Sequence, residues 1–273
     1  MKKTFFFILL VIFFILGASA LLFLLLNQTL KNNQNLVKKI ETPNINSSGQ
    51  VVNLNNTNQI KIPNNTQTSN PAVKTVNSVI LAVPYINESP DGNWTGYWKN
   101  ACEEASIAMV ENFYLGKQTV STKDAMDFMN NLFTIENKIF GSNTNTDAKQ
   151  TVQLINDYSS YKAVIKEAPT VEDIKSELQQ NRPVIVPLYG FDLHNKNIPF
   201  VPAPRGTSYH MIVIIGYDDT TKEFITNDDG DNKQGASHHY GYDLLMNAIH
   251  DWSYVTKQAD GPAKAIFTYP KNS

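Results

Sequence analysis

HMIVIIGYDDTTKEFITNDD, residues 210–229, reads as a β-hairpin. Residues 210–217 are mostly β-branched and apolar, DDTTK at 218–222 supplies the turn, and EFITN at 223–227 returns as a second short strand. Counting back from the turn sets His210 opposite Asp228 within a residue or two, with Asn227 and Asp229 as the substitutes if the register slips. Opposed side chains share a face, their Cβ atoms about 5 Å apart, so an imidazole and a carboxylate meet at one end of the hairpin. An acid orients a catalytic base by this geometry.

Working outward, PVIVPLY (183–189) and KAIFTY (264–269) are further short strands, and ILAVPY (80–85) is an entry strand. ACEEASIAMVENFYL (101–115) carries apolar residues at the 3–4 spacing of a buried helix. Ser121-x-x-Asp124 and Thr170-x-x-Asp173 are capping signals for two more helices, with others over 147–158 and 242–252. Helices early and strands late predict an α+β domain, a helical half packed on an antiparallel sheet.

The chain has one cysteine, Cys102, in the first turn of the 101–115 helix. A single thiol excludes an intramolecular disulfide and a zinc site built on several thiolates. Unsatisfied N–H groups and the helix dipole favour an anion there, so the position predicts a thiol pKa below the usual value of about 8.5 and a thiolate population at neutral pH. Glu103 and Glu104 oppose this, because nearby negative charge disfavours a thiolate. A lone cysteine in a folded chain is more commonly a buried structural one. The aromatic loop ESPDGNWTGYWKN just upstream reads as a wall of a cleft.

The other histidines carry less. His238 and His239 fall in a polar loop with Tyr240, His250 lies near a helix C-terminus, and His194 follows a turn-like segment. The acidic run DDGDN (228–232) lacks the spaced oxygen ligands and closing Glu of a calcium loop. No metal or cofactor is called for.

Outside this domain, residues 5–26 form an unbroken apolar run behind Lys2 and Lys3, long enough to span a bilayer core of about 30 Å. Ala18-Ser19-Ala20 has the form of a signal-peptidase site, but LLFLLL follows it, so an uncleaved anchor over 1–26 is the expectation. Residues 27–78 are about one-quarter Asn without an aromatic residue, a composition unable to bury a core, and read as a disordered stalk. The formal net charge of -2 and the absence of a basic cluster from residue 79 onward argue against a nucleic-acid partner. The expected layout is an anchor, a stalk and a folded domain over 79–273 on the extracytoplasmic side, joined to the membrane only through the N-terminal helix.

Four segments in order, VPYINESPDGNW (83–94), ACEEAS (101–106), HMIVIIGYDD (210–219) and FITNDDG (224–230), resemble the bacterial cysteine peptidases related to the bacteriocin-processing, double-glycine-leader peptidases. The resemblance covers roughly residues 79–270 and implies a papain-like fold, with Cys102 as nucleophile, His210 as base and Asp228 as orienting acid. In that family an upstream Gln helps to form the oxyanion hole. Its slot, fourteen residues before Cys102, is filled here by Glu88. An ionised Glu only accepts hydrogen bonds, and losing one oxyanion donor costs about 2.7–4 kcal/mol. Glu88 is therefore expected to be protonated, or to be relieved by Asn87 or backbone N–H groups, or to leave the enzyme slow or inactive. The function implied is hydrolysis of peptide or amide bonds through a thioester. The alternative is an inactive papain-like module that binds a cell-envelope peptide.

Overall fold

A computed structural model describes residues 77–141, 145–202 and 208–271. The expected anchor (1–26) and nearly all of the stalk (27–78) lie outside them. Among the described residues no helix is long and apolar enough to cross a membrane.

Seven strands form one sheet: β1 (Ser78–Ile80), β2 (Tyr161–Glu167), β3 (Val184–Tyr189), β4 (Tyr209–Asp218), β5 (Glu223–Asn227), β6 (His238–Gly241) and β7 (Lys264–Pro270). Their order is β2-β7-β3-β4-β5-β6, with β1 also on β4, and every pairing is antiparallel. Among the described residues five α-helices accompany them: α1 (Cys102–Tyr114), α2 (Thr122–Ile139), α3 (Ala148–Tyr158), α4 (Val171–Gln179) and α5 (Tyr242–Ala248). The α+β class expected from the sequence is what the chain adopts.

Local chemistry explains most boundaries. Ser121 Oγ accepts from Asp124 N at 3.1 Å to start α2, and Asp147 Oδ1 accepts from Gln150 N at 2.8 Å to start α3. Thr170 and Asp173 close a full capping box on α4. Such caps contribute about 1 kcal/mol each. The first nine residues of β4 are all buried, so both faces of this strand are covered and its sequence runs apolar without alternation. Helix α1 packs against β4 and is buried on every side from Cys102 to Asn112.

The entry strand lies earlier than ILAVPY: β1 covers only Ser78–Ile80, and Ser78, assigned to the stalk by composition, is its first residue. It reaches β4 at Gly216, where a Cβ would stand 2.3 Å from Val79 O, so only glycine lets the two strands meet. Residues 238–241, expected as loop, form β6 because they pair with β5, and α5 ends at Ala248 because Ile249 turns into a bridge with Leu188.

Candidate active site

Three parts of the fold converge. Cys102 is the first residue of α1, His210 the second of β4, and Asp228 follows the last residue of β5. Beyond a bulge between Ile214 and Gly216, the β4–β5 register pairs Val213 with Asn227. Continued outward, that register sets His210 across from Gly230, two residues past the count made from the turn. Asp228 still meets the ring because the chain leaves the strand there, and its carboxylate turns back to place Oδ1 2.8 Å from His210 Nε2. Gly230 makes room: a Cβ on it would lie 3.0 Å from His210 Cε1. The substitutes fall away. Asn227 is tied to Val83 O and Ser237 N, and Asp229 Oδ1 stands 3.8 Å from His210 Nε2.

Asp228 is completely buried yet fully engaged. Its Oδ2 accepts from Tyr240 OH at 2.5 Å and from Asn195 Nδ2 at 3.2 Å. Burial alone would raise its pKa, but the charge and hydrogen bond of His210, with those of Tyr240 and Asn195, outweigh it and hold the acid below its ordinary value. Burial would lower the pKa of His210. Asp228 foremost, then Glu88 and Glu103, reverse that and raise it. Phe200 leans on the imidazole with ring centroids 5.2 Å apart.

Donor atoms of Glu88, Cys102 and His210 lie within 4.8 Å of one another, so the residues singled out in the sequence do gather. The thiol, however, makes its hydrogen bond to Glu103 Oε2, at 3.0 Å. The expected low thiol pKa is not found. Burial pushes it well above the ordinary value, and the charges of Glu103, Glu88 and Asp229 push the same way. The first turn of α1 carries no side-chain cap, so the helix N-terminus is present, but desolvation and three acids outweigh it.

Glu88 borders a cleft of ≈ 400 Å³ whose walls include Trp94, Ile198, Phe200 and Gly230, with Lys99 at the rim. Its pKa is pushed up to about 8, first by burial and then by Glu103 and Asp228, with His210 pulling the other way. At neutral pH it is therefore mostly protonated and can donate a hydrogen bond. Asn87 does not replace it: its Nδ2 donates to Asp229 O at 2.6 Å and to Tyr85 OH at 3.2 Å.

Sequence reasoning missed Tyr240 and Asn195 as partners of Asp228. Both reach it only through the tertiary fold, and no local signal marks either one. The remaining histidines stand apart: His239 pairs with Glu223 at 3.1 Å, while His238 meets Gln234 O and His250 meets Gly261 O, each at 3.2 Å. The compact donor sets Glu88–Cys102–His210 and His210–Asp228–Asp229 are this same site grouped by distance. Both share His210, so a cation in either would occupy the imidazole.

Comparison with known proteins bears on this arrangement. A solved structure described as a C39-like peptidase, from Bacillus anthracis, is similar at 17% identity, covering 70% of this chain and 96% of that one with a TM-score of 0.43. No curated protein matches the chain. The model of the family described as "Peptidase_C39 like family" matches residues 80–260, a span that holds every strand from β2 to β6 and all the residues brought together above. The chain belongs to that cysteine peptidase-like family.

Proposed function

We propose that this domain is a peptide- or amide-bond hydrolase in which Cys102 is the nucleophile, His210 the proton carrier and Asp228 the acid that orients it. The observation that carries this reading is the buried 2.8 Å contact between His210 Nε2 and Asp228 Oδ1, with Cys102 Sγ and a ring nitrogen inside a 4.8 Å cluster. Asp228 fixes Nε2 and leaves Nδ1 to serve the reacting atoms. The imidazole takes the thiol proton as sulfur adds to the substrate carbonyl, the resulting imidazolium protonates the leaving amine, and the neutral ring then takes a proton from the water that resolves the thioester and returns it to the departing sulfur. Protonated Glu88 and the uncapped first-turn N–H groups of α1 supply the oxyanion donors.

The test uses the full chain and a peptidyl epoxide that alkylates active-site thiols. Labelling at Cys102 that is lost in His210→Ala, together with cleavage of a mixed peptide library, supports the reading. Efficient peptide binding without cleavage or labelling would sink it in favour of an inactive binding module.

The apolar run 5–26 and the Asn-rich segment 27–78 support a membrane tether with the domain outside the cell. Extraction of the chain with the membrane fraction, and its loss from intact cells on protease treatment, are the results expected. A chain that stays in the soluble lysate would overturn this placement.

A further inference from the structure

The hydrogen bonds of the site leave the Glu88 carboxyl unused. Glu88 is only 8% exposed and borders the ≈ 400 Å³ cleft, and among the described residues neither of its carboxyl oxygens makes a hydrogen bond. One of those oxygens, Cys102 Sγ and a ring nitrogen of His210 lie within 4.8 Å of one another, and all three residues are buried. Thiolate, imidazole and carboxylate are the donor types of a zinc site, and three protein ligands beside a cleft leave the fourth position open. Magnesium and calcium prefer sets made of oxygen alone. Zinc holds these donors at about 2.0–2.3 Å, which spaces a tetrahedral set about 3.3–3.6 Å apart. The three atoms have to close by at most about 1.5 Å, a distance that side-chain rotation covers.

The ring is already prepared for this role. Asp228 Oδ1 holds Nε2 at 2.8 Å, which leaves Nδ1 for a ligand. A carboxylate behind the imidazole is the usual support of a metal-bound histidine, and Tyr240 and Asn195 hold that carboxylate in turn. The other compact set, His210–Asp228–Asp229, is the poorer one, because a cation there has to break the 2.8 Å contact. Cys102 also lies in the field of Glu103 and Asp229. A field that disfavours a bare thiolate favours a thiolate paired with a dication.

We propose that Glu88, Cys102 and His210 bind one zinc ion, and that the bound ion closes off the thiol. Bonds form from zinc to Sγ, to the imidazole and to a Glu88 oxygen, and water fills the fourth position. The thiol and carboxyl protons leave to solvent, so the step needs no oxidant or reductant. The consequence for activity rests on the hydrolase reading above: the metal withholds the nucleophile and its base together, and its removal restores both.

The test uses the full chain, zinc alone as the ligand, and iodoacetamide on Cys102, the only thiol of the chain. Near neutral pH, a calorimetric titration should show one zinc bound per chain. That zinc should slow alkylation about tenfold or more, and a chelator should restore the rate. Cobalt in place of zinc should give a thiolate-to-metal charge-transfer band that Cys102→Ser removes. Glu88→Gln keeps the shape but loses the charged ligand, and should weaken zinc binding about tenfold or more. Zinc that binds without slowing alkylation sits elsewhere and overturns the proposal before any variant is made. So does a Glu88→Gln chain that holds zinc as tightly as the wild type. Zinc that speeds peptide cleavage would also defeat it, because the ion would then serve the reaction instead of blocking it. Protection of Cys102 in a chain that cleaves no peptide, with or without chelator, would sink the hydrolase reading and leave the zinc site standing.

Discussion

The two arms of the site treat their acids differently. On the sheet side, Asp228 has a partner for each oxygen and stays ionised in complete burial. On the helix side, Glu104 of α1 and Glu136 of α2 are equally buried, but Glu104 Oε2 and both Glu136 oxygens meet no donor from the rest of the protein, and the two carboxyls face each other, so a bond between them needs one to keep its proton. Burial drives both pKa values up, that of Glu136 to about 7. Asp229, next to Asp228 in the chain, behaves like the helix side: its Oδ1 has no hydrogen bond, and burial with the charges of Glu88 and Asp228 raises it well above the ordinary value. A carboxylate keeps its charge in this interior where donors converge on it, and keeps its proton where they do not.

The largest effect should come from breaking the sheet arm. Asp228→Asn keeps the shape but removes the charge that fixes the imidazole, and should lower kcat/KM on a cleaved peptide by about 10³- to 10⁴-fold. A loss under tenfold would remove Asp228 from the orienting role.

Glu88 sharpens the contrast, since the oxyanion role proposed for it needs its proton. With a pKa of about 8, roughly one enzyme in ten still carries that proton at pH 9, so wild-type acylation should fall above pH 8. Glu88→Gln should change little at pH 6.5 and exceed the wild type about tenfold at pH 9. Parallel pH profiles for the two proteins would place Glu88 outside the oxyanion hole.

A smaller effect is expected from Tyr240→Phe, which removes one charge-assisted bond to Asp228 without touching His210. The Asp228 pKa should rise and the acid limb of activity should shift upward, with a loss of about tenfold or less at neutral pH. Loss of activity at every pH without a shift of the limb would mean that Tyr240 only fills space.

The smallest lies in stability. Glu136, raised from 4.5 to about 7, favours the folded state fully below its unfolded pKa, and that contribution is lost as pH rises through about 7. The melting temperature should therefore decline between pH 5 and pH 8.5. Glu136→Gln should recover a few °C at pH 8.5, where about 1 kcal/mol corresponds to roughly 2–4 °C. An unchanged melting curve at pH 8.5 would show that the Glu136 charge is compensated within the fold.

Much of this site could be read before the fold was seen. Cys102 stood out as the single thiol at a helix start, and the hairpin placed His210 and Asp228 at one end, although the register itself sets His210 across from Gly230 and only the chain leaving β5 returns the carboxylate to the ring. Capping residues marked α2 and α4 because those signals are local. Strand β2, YKAVIKE, escaped because its polar residues break the alternation and its pairing partner, β7, lies about a hundred residues away. The thiol pKa was misjudged for a related reason. First-turn acids such as Glu103 and Glu104 ordinarily face water, and only packing on every side of α1 buries them and sets Glu103 against the sulfur.

The place of β7 has a consequence for the timing of synthesis. The last strand of the chain, Lys264–Pro270, lies between β2 and β3 in the sheet, not at its edge. While a ribosome is still making residues before 264, β2 has no neighbour and β3 lacks one of its two. At about 5–20 residues per second, the 36 residues from Asp228 to Lys264 take roughly 2–7 seconds to make. During that interval Cys102, His210 and Asp228 already exist, but the sheet that would hold them in register is incomplete. A nascent chain therefore carries the residues of the site for seconds before it has the site they form.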